Sequence, residues 1–255
     1  MRRIVIVSDN YIDFHMETPG IEVIFDKEFR LRDDALYITD KAGAAQKIMA
    51  MRLPLMWMGE FLEGVEYIIE DIDEIDEWYF FQAYAHIKKQ PWCVLEDENW
   101  LVREMTEKDL PAMYEMYGKS GVAEFVEPLY DYENELEFTR SYIEKMYGFY
   151  GYGLWLVFDK STGALVGRIG FSHREIDGEQ RVELGYIIDA DYQNRGIGFK
   201  ICQKIIAAGK KYWNFREIYI CCDSKNARSI ALAAKLGFSY YGTCNTQVVY
   251  RLITD

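Results

Sequence analysis

The chain has 255 residues, of which 50% are hydrophobic and 16% aromatic, enough material for two domains with cores of their own. No stretch approaches the roughly 20 apolar residues that a membrane-spanning helix needs. The apolar run at the N-terminus is too short for a signal peptide. We therefore expect a cytoplasmic protein that does not act on a membrane.

The formal net charge is −13, and it is unevenly distributed. Residues 1–98 hold 10 Lys or Arg against 21 Asp or Glu, whereas residues 99–255 hold 19 against 21. This excess of acid argues against a nucleic-acid partner. It would attract a cationic substrate, but it is equally typical of a solvated acidic surface.

The first third of the chain alternates apolar runs with helical segments. Strands are predicted at Ile4–Val7, Ile21–Phe25, Ala35–Thr39, Leu53–Met58 and Tyr67–Ile69, and helices at Ala42–Met51 and Ile72–Lys89. Such alternation indicates a mostly parallel sheet, so residues 1–95 are predicted to form a small Rossmann-like α/β domain. Gln90-Pro91-Trp92 ends the last helix, and the polar segment Glu96–Asn99 is predicted to be the hinge between two domains.

The second region begins at Trp100–Arg103 and continues with a helix start capped by Thr106. Helices are predicted at Leu110–Gly118, Glu133–Tyr147, Gly196–Trp213 and Ala227–Leu236, and strands at Leu154–Asp159, Leu165–Ser172, Arg181–Asp189, Glu217–Cys222, Tyr240–Tyr241 and Val248–Leu252. Turn residues between successive strands predict a mixed, mostly antiparallel sheet flanked by helices. Residues 100–255 are the second predicted domain.

Five cysteines are present, and none of them has CxxC spacing. The adjacent Cys221 and Cys222 would lie on opposite faces of a strand, which is poor geometry for a shared metal. The three histidines are isolated from one another. We expect free thiols and no metal site.

The segment Gln193–Gly198 carries the strongest chemical signal. It follows a β-rich run and opens a helix, so its glycines allow backbone N–H groups to approach an anion closely. The helix N-terminus adds unsatisfied donors and the positive end of its dipole, and Arg195 adds a charge. This arrangement suits a pyrophosphate.

Four motifs occur in order within residues 100–255: Val166–Gly170, Glu183–Tyr186, Gln193–Gly198, and Asn226–Ser229 leading to Lys235–Phe238. In this order they resemble the GNAT acyltransferase superfamily, in particular the branch of ribosomal-protein alanine acetyltransferases. The resemblance implies a GNAT fold and an acetyl-CoA-dependent N-acetyltransferase. It further implies transfer of the acetyl group to a primary amine, on a small molecule or a peptide N-terminus. We expect this transfer to be direct, in a ternary complex.

The resemblance also implies which residues bind the cofactor. Gln193–Phe199 matches the loop that wraps the pyrophosphate of coenzyme A, Ile187–Asp189 matches the strand that pairs with pantetheine, and Asn226 matches a residue near the thiol. The implied cofactor residues are Ile187, Ile188, Asp189, Gln193, Asn194, Arg195, Gly196, Ile197, Gly198, Phe199 and Asn226.

The acid–base residues are less clearly marked. Glu183 matches a strand position from which several relatives supply a general base, which an amine needs because it is mostly protonated at neutral pH. It is equally suited to pair with Arg168 or Arg181 across strands. The tyrosine that often protonates the leaving thiolate would fall seven residues after Asn226, where this chain has Ala233. Either another group replaces it, with Tyr240 and Tyr241 as the candidates, or the thiolate leaves without help.

Two further features carry alternatives. The aromatic segment Tyr142–Trp155, with acids such as Glu124, Glu127 and Asp131, would suit a cationic acceptor, although packing between helix and sheet explains the aromatics equally well. Cys221 and Cys222 would permit a covalent acetyl-enzyme, but no recognisable motif places a base beside either thiol, and direct transfer is favoured.

The first domain weakly resembles the late half of a haloacid-dehalogenase-like domain, with Asp9 after the first strand and Asp40 after a later one. The partner acids of that family are replaced by Tyr11 and Ala44, so we expect a non-catalytic module. Two alternatives to acetyl transfer therefore remain. One is a coenzyme A sensor or scaffold without turnover, and the more remote one is a phosphatase in the N-terminal domain.

Overall fold

A computed structural model describes residues 1–254. The chain separates into two compact units, Met1–Trp92 and Cys93–Asp255. Within the described residues, no helix is long and apolar enough to cross a bilayer.

The first unit is a five-stranded sheet in the order β2-β1-β3-β4-β5, with every neighbouring pair parallel. Its elements are β1 (Arg3–Val7), β2 (Glu22–Phe25), β3 (Ala35–Thr39), α1 (Ala42–Ala50), β4 (Leu55–Met58), β5 (Tyr67–Ile69), a 3-10 turn (Ile72–Glu74) and α2 (Glu77–Ile87). Alternate residues of β1 enter separate cores, Ile4 and Ile6 on one face and Val5 and Val7 on the other. The predicted parallel α/β architecture is confirmed.

The predicted helix over Ile72–Lys89 is broken in two. The side chain of Asp71 accepts a hydrogen bond from the N–H of Asp73 and caps a 3-10 turn, after which Ile75 is extended. Asp76 then occupies the N-cap position of α2. The helical spacing of Ile75 is therefore coincidental, because Ile75 is itself extended and α2 begins only after Asp76.

The second unit is an eight-stranded sheet in the order β12-β13-β11-β10-β9-β8-β7-β6. Its strands are β6 (Cys93–Glu96), β7 (Trp100–Arg103), β8 (Leu154–Asp159), β9 (Leu165–Ile176), β10 (Glu179–Ile188), β11 (Glu217–Asp223), β12 (Ser239–Cys244) and β13 (Gln247–Ile253). Every neighbouring pair is antiparallel except β10 and β11, which are parallel. The mixed, mostly antiparallel sheet is as predicted.

The helices of the second unit are α3 (Leu110–Gly118), α4 (Tyr132–Tyr142), α5 (Ile197–Trp213) and α6 (Ala227–Lys235). Thr106 and Asp109 form a capping box before α3, as the sequence indicates for Thr106. Helix α4 continues into a π-helical segment, Ile143–Tyr150, which ends at Gly151. Trp155 and Phe171 of the sheet and Trp213 at the end of α5 form an aromatic core.

The polar segment Glu96–Asn99 is a hairpin turn and not a hinge. β6 and β7 pair antiparallel on either side of it, and the Asp97 carboxylate accepts hydrogen bonds from the N–H groups of Asn99 and Trp100, both at 2.8 Å. The short strand β6 therefore belongs to the second unit, and the first unit ends at Trp92.

Candidate active site

The one parallel pair of strands in the second sheet separates soon after it forms. Within the described chain, β10 and β11 pair only where Glu183 lies beside Tyr219. Beyond that point β10 continues to Ile188 and β11 to Asp223. The divergence leaves a wedge-shaped opening in the sheet, with Glu183 at its narrow end.

A cleft of about 380 Å³ lies beside this opening. Its walls come from the loop after α3, from the end of β10 with the start of α5, and from α6. Of the predicted cofactor residues, those that line it are Ile187, Ile188, Gln193, Asn194, Gly196, Ile197, Gly198, Phe199 and Asn226.

The start of α5 presents backbone donors to this cleft. Gly196 is the N-cap residue in a left-handed conformation with φ 72°, and no side chain caps the helix. In the described chain, the backbone N–H groups of residues 196–199 donate no hydrogen bond to the protein. The first turn contains no acidic residue. A Cβ built on Gly196 would meet no atom within 4 Å, so this approach is open to an anion.

Two predicted cofactor residues do not line the cleft. The Asp189 carboxylate is buried and receives hydrogen bonds from Lys119 Nζ at 2.8 and 3.0 Å and from the N–H of Asp191. The Arg195 guanidinium lies over the Tyr192 ring, 5.5 Å from its centroid. Asp189 therefore holds the loop in place, and the donors that face the cleft here are backbone N–H groups rather than the side chain of Arg195.

Asn226 lies at the N-cap position of α6. Its Oδ1 accepts a hydrogen bond from the N–H of Ser229 at 3.1 Å, and the residue also lines the cleft. The predicted place beside the cofactor and the capping role are both compatible with this geometry, because the Nδ2 group is not used by the cap.

Glu183 is largely buried at the point where the strands diverge. Burial raises the pKa of its carboxyl, while the charge of Arg174 and hydrogen bonding from Cys221 lower it, and the net pKa is raised. No ion pair joins Glu183 to Arg168 or Arg181 in the described chain; Arg181 instead pairs with Glu179 and Glu217. Glu183 is not itself among the residues that line the cleft; it lies three residues before Tyr186, which does. A carboxyl with a raised pKa and no ion pair of its own is suited to accept a proton.

The structure does not bring Tyr240 or Tyr241 to the cleft. Tyr240 is 63% exposed on the edge strand β12 and packs against the ring of Tyr250. The hydroxyl of Tyr241 donates to Asp177 at 3.2 Å. Ala233 is fully buried. Neither tyrosine lines the cleft, so neither takes over the role of the tyrosine that is missing at position 233.

A hydroxyl pair that the sequence analysis did not single out does line the cleft. The hydroxyls of Tyr186 and Ser229 lie 2.7 Å apart, and both residues belong to the cleft wall. Ser229 lies one helical turn before Ala233, on the same face of α6. Tyr186 belongs to the motif that contains Glu183, and Ser229 belongs to the motif that begins at Asn226. Membership of these two motifs is the sequence signal from which both residues could have been proposed as site residues.

The two strand cysteines have little thiolate character. Burial raises the pKa of the Cys221 thiol to about 12, and burial also raises that of Cys222. Neither residue lines the cleft. A nucleophilic cysteine needs a lowered pKa, so this environment favours direct transfer. All five cysteines are free thiols.

The aromatic segment over Tyr142–Trp155 mostly packs inside the unit. Tyr147 and Trp155 are fully buried, and the Tyr147 hydroxyl donates to the carbonyl of Leu154. Phe149 and Tyr150 of this segment are exposed, and so are the rings of Tyr130, Tyr132 and Phe138 on and before α4. Exposed aromatic rings are therefore present within the segment expected from the sequence, at Phe149 and Tyr150, as well as earlier in the chain.

In the first unit, Asp9 and Asp40 follow neighbouring parallel strands. Lys41 Nζ lies 2.7 Å from the Asp9 carboxylate, and the Ser8 hydroxyl donates to Asp40 at 2.7 Å. Among the described residues, no cluster of three or more His, Cys, Asp or Glu side chains is arranged to hold a metal ion.

Comparison with known proteins identifies the class of the second unit. Residues 99–239 match the family model described as "Acetyltransferase (GNAT) domain", which is more than half of the chain. The protein belongs to the GNAT acetyltransferase family and is an acyltransferase.

Among curated proteins, the chain is 27% identical over 143 residues to an uncharacterized N-acetyltransferase, YnaD of Bacillus subtilis, covering 56% of this chain and 80% of that protein. Solved structures with the same fold include a ribosomal-protein-S5-alanine acetyltransferase from Vibrio fischeri, with a TM-score of 0.54, 20% identity and coverage of 63% of this chain and 96% of that one. Another is RimL, a ribosomal L7/L12 α-N-protein acetyltransferase in complex with coenzyme A, with a TM-score of 0.53, 18% identity and coverage of 63% and 97%.

Proposed function

We propose that this protein is an acetyl-CoA-dependent N-acetyltransferase that moves the acetyl group directly to a primary amine. The observation that supports this proposal most strongly is the cleft beside the diverging strands, with the free N–H groups at the start of α5. Such a helix start binds phosphate groups, and diverging strands leave backbone edges to which an extended pantetheine arm can pair.

The residues at the cleft fit coenzyme A by both shape and charge. The approach to Gly196 is open, the first turn of α5 has no acid, and Phe199, Arg228 and Lys235 stand on the walls. Bound acetyl-CoA would supply an activated thioester. The protein would orient that thioester and move two protons.

Glu183 is proposed to take the proton that the acceptor ammonium must lose before its nitrogen attacks the acetyl carbonyl. The carbon–nitrogen bond forms as the carbon–sulfur bond breaks, and the leaving sulfur needs a proton. The nitrogen gives up its second proton in the same process, and this proton replaces the one that the sulfur has taken. The hydroxyl pair of Tyr186 and Ser229 is the proposed source of the proton on sulfur, because it is the pair of adjacent hydroxyls on the cleft wall. Tyr240 and Tyr241 lie outside this wall.

The acceptor is proposed to be the amine of a peptide N-terminus, with a small-molecule amine as the second candidate. The two solved structures named above are those of ribosomal-protein acetyltransferases. In this chain the loop that lines the cleft after α3 carries Glu124 and is followed by exposed rings, including Tyr130. Carboxylates and aromatic faces both attract an ammonium group.

A calorimetric titration with acetyl-CoA tests the proposal. One site with a dissociation constant in the micromolar range is expected, followed by amine-dependent release of thiol. Absence of binding at these concentrations would exclude acetyl-CoA as the donor. Binding without thiol release against a broad panel of amines would instead favour a coenzyme A sensor. Magnesium-dependent hydrolysis of a phosphate ester, lost in Asp9→Asn, would be needed to support a phosphatase.

A further inference from the structure

The basic side chains around the cleft differ in whether a carboxylate of the protein lies close to them. The Arg228 guanidinium donates to the side chain of Gln193 and lies 3.7 Å from Glu124. Lys235 also lines the cleft, yet no carboxylate in the described chain lies within ion-pair distance of it. Its Nζ instead stands over the ring of Phe199, 4.2 Å from the centroid.

Helices α5 and α6 meet along the cleft in a definite order. Near the start of α6, Ser229 bonds to Tyr186 of β10. Three residues further along α6, Leu232 lies 3.9 Å from the position that a Cβ on Gly198 of α5 would take. At the end of α6, Lys235 meets Phe199. The cleft therefore runs from the hydroxyl pair, past the donors of the α5 N-terminus, to the lysine and the aromatic ring.

Coenzyme A carries its chemical groups in a matching order. The thiol is followed by pantetheine, then by the pyrophosphate, and last by adenosine with a phosphate on its 3′ oxygen. When the reacting end lies at the hydroxyl pair and the pyrophosphate at the α5 N-terminus, the next group along the cleft is the 3′-phosphoadenosine. At that place the protein presents an ammonium without a carboxylate partner beside an aromatic face.

We propose that Lys235 binds the 3′-phosphate of coenzyme A and makes the site selective for coenzyme A over its 3′-dephospho form. This inference rests on the proposed function. A contact between a cation and an aromatic ring near the surface is weak, so Lys235 can leave Phe199 for a dianionic phosphate at little cost. A charge-assisted hydrogen bond to phosphate is roughly twice as strong as a neutral one.

The test compares two ligands on three proteins by calorimetry: coenzyme A and 3′-dephospho-coenzyme A, titrated into the wild type, Lys235→Gln and Lys211→Gln. Lys211 is the matched control, because its Nζ also stands over an aromatic ring, Tyr212, at 5.2 Å, and it lies at the far end of α5 and outside the cleft wall. Lys235 is exposed, so its replacement should leave the fold intact, as circular dichroism would verify.

The expected result is a rise of about tenfold in the dissociation constant of coenzyme A in Lys235→Gln, with the constant for the dephospho form changed less than about twofold. Lys211→Gln should match the wild type with both ligands. An equal loss of affinity for both ligands would overturn the proposal, because Lys235 would then contact the pyrophosphate or the adenine, which the two ligands share. No loss for either would overturn it as well.

The wild type alone provides an independent check, since it should prefer coenzyme A over the dephospho form by about tenfold. Equal affinity for the two ligands would overturn the inference about Lys235 while leaving the proposed function in place. Failure of the wild type to bind either ligand would instead contradict the proposed function.

Discussion

Gly196 combines a left-handed backbone conformation with a position in the cleft, and comparison with a second glycine separates the effects of the two. The φ of 72° at Gly196 disfavours any side chain, a Cβ there would meet no atom within 4 Å, and the residue lines the cleft. Gly163, in the turn between β8 and β9, has the same φ and equally open surroundings, but it does not line the cleft. Substituting each of these two glycines in turn therefore distinguishes the effect of backbone strain from that of obstructing the cofactor.

We expect Gly196→Leu and Gly163→Leu to lose similar stability, about 1–2 kcal/mol each, because both place a side chain in a left-handed conformation. Only Gly196→Leu should lose binding of acetyl-CoA, by at least 100-fold, because its side chain blocks the approach to the α5 N-terminus. Urea denaturation and calorimetry measure the two effects. Equal binding by the two variants would contradict the assigned pyrophosphate site.

Glu183 is expected to limit the rate at low pH. Because burial raises the pKa of its carboxyl, the basic form is lost as pH falls through a value above the usual range of a glutamate. Glu183→Gln should lower kcat by about 10²–10⁴-fold and remove the acidic limb of the pH–rate profile, with acetyl-CoA binding unchanged.

Glu179→Gln, on the exposed start of the same strand, is the control for the Glu183 variant and should keep the wild-type pH profile. An unaltered acidic limb in Glu183→Gln would assign the base to another group, such as an ordered water.

Ser229 is expected to assist departure of the thiolate. Ser229→Ala removes the hydroxyl that lies 2.7 Å from Tyr186, and kcat should fall about 10²-fold with little change in acetyl-CoA binding. Ser224→Ala, in the exposed turn before α6, should behave as the wild type. Single-turnover kinetics measure the chemical step directly. A wild-type rate for this step in Ser229→Ala would remove the hydroxyl pair from the mechanism.

At the scale of elements, one lysine joins the end of α3 to the loop that precedes α5. Lys119 Nζ contacts the buried carboxylate of Asp189 at 2.8 Å and that of Asp191 at 2.7 Å. Hydrogen bonding to Asp189 and then to Asp191 raises the pKa of the lysine. This contact holds two walls of the cleft together.

Lys119→Met leaves Asp189 as a buried carboxylate without its ion pair, and we expect a loss of about 3 kcal/mol in the free energy of unfolding. Acetyl-CoA binding should weaken as well, because the loop is no longer held. Adding Asp189→Asn should recover part of the stability, since the buried charge is then gone. Lys145→Met, at an exposed position, serves as the control. If Lys119→Met loses no more stability than Lys145→Met, the ion pair of Lys119 with Asp189 does not stabilise the fold as proposed.

Most elements could be predicted from the sequence, because their apolar periodicity and caps are local signals. Thr106 caps its helix turn as expected, and β1 and β3 occupy nearly the predicted residues. The failures have local causes. Asp71 and Asp76 interrupt a continuous helical pattern, and the acidic turn at Asp97 has the same composition as a flexible linker although its side chain closes a hairpin.

At the scale of the whole molecule, the cleft could be predicted only in part. The loop Gln193–Phe199 is contiguous and carries its own glycine and helix-start signals, so it could be identified. The opposite walls, which include Val122, Tyr186 and Lys235, come from segments far apart in the chain. Their meeting depends on strand order and on the divergence of β10 from β11, which no local pattern encodes.

The same distinction applies to the proton-transfer groups. Glu183 could be proposed from its motif, but the depth at which it is buried depends on the packing of neighbouring strands. Tyr186 and Ser229 were visible as motif residues, whereas the hydroxyl contact between them requires α6 to lie against β10. No pattern distinguishes Tyr240 and Tyr241 among the 20 tyrosines of the chain, and the strand that carries them lies at the edge of the sheet.

The central claim is that this chain transfers an acetyl group from acetyl-CoA to an amine at the cleft between β10 and α6. Mass spectrometry of a panel of short peptides and small amines, incubated with the full chain and acetyl-CoA and paired with thiol release, tests it most directly. The account predicts acetylation at a primary amine with one thiol released per acetyl group, abolished in Gly196→Leu and retained in Gly163→Leu. Acetylation that persists unchanged in Gly196→Leu, or acetyl-CoA binding without acetylation of any amine, would contradict it.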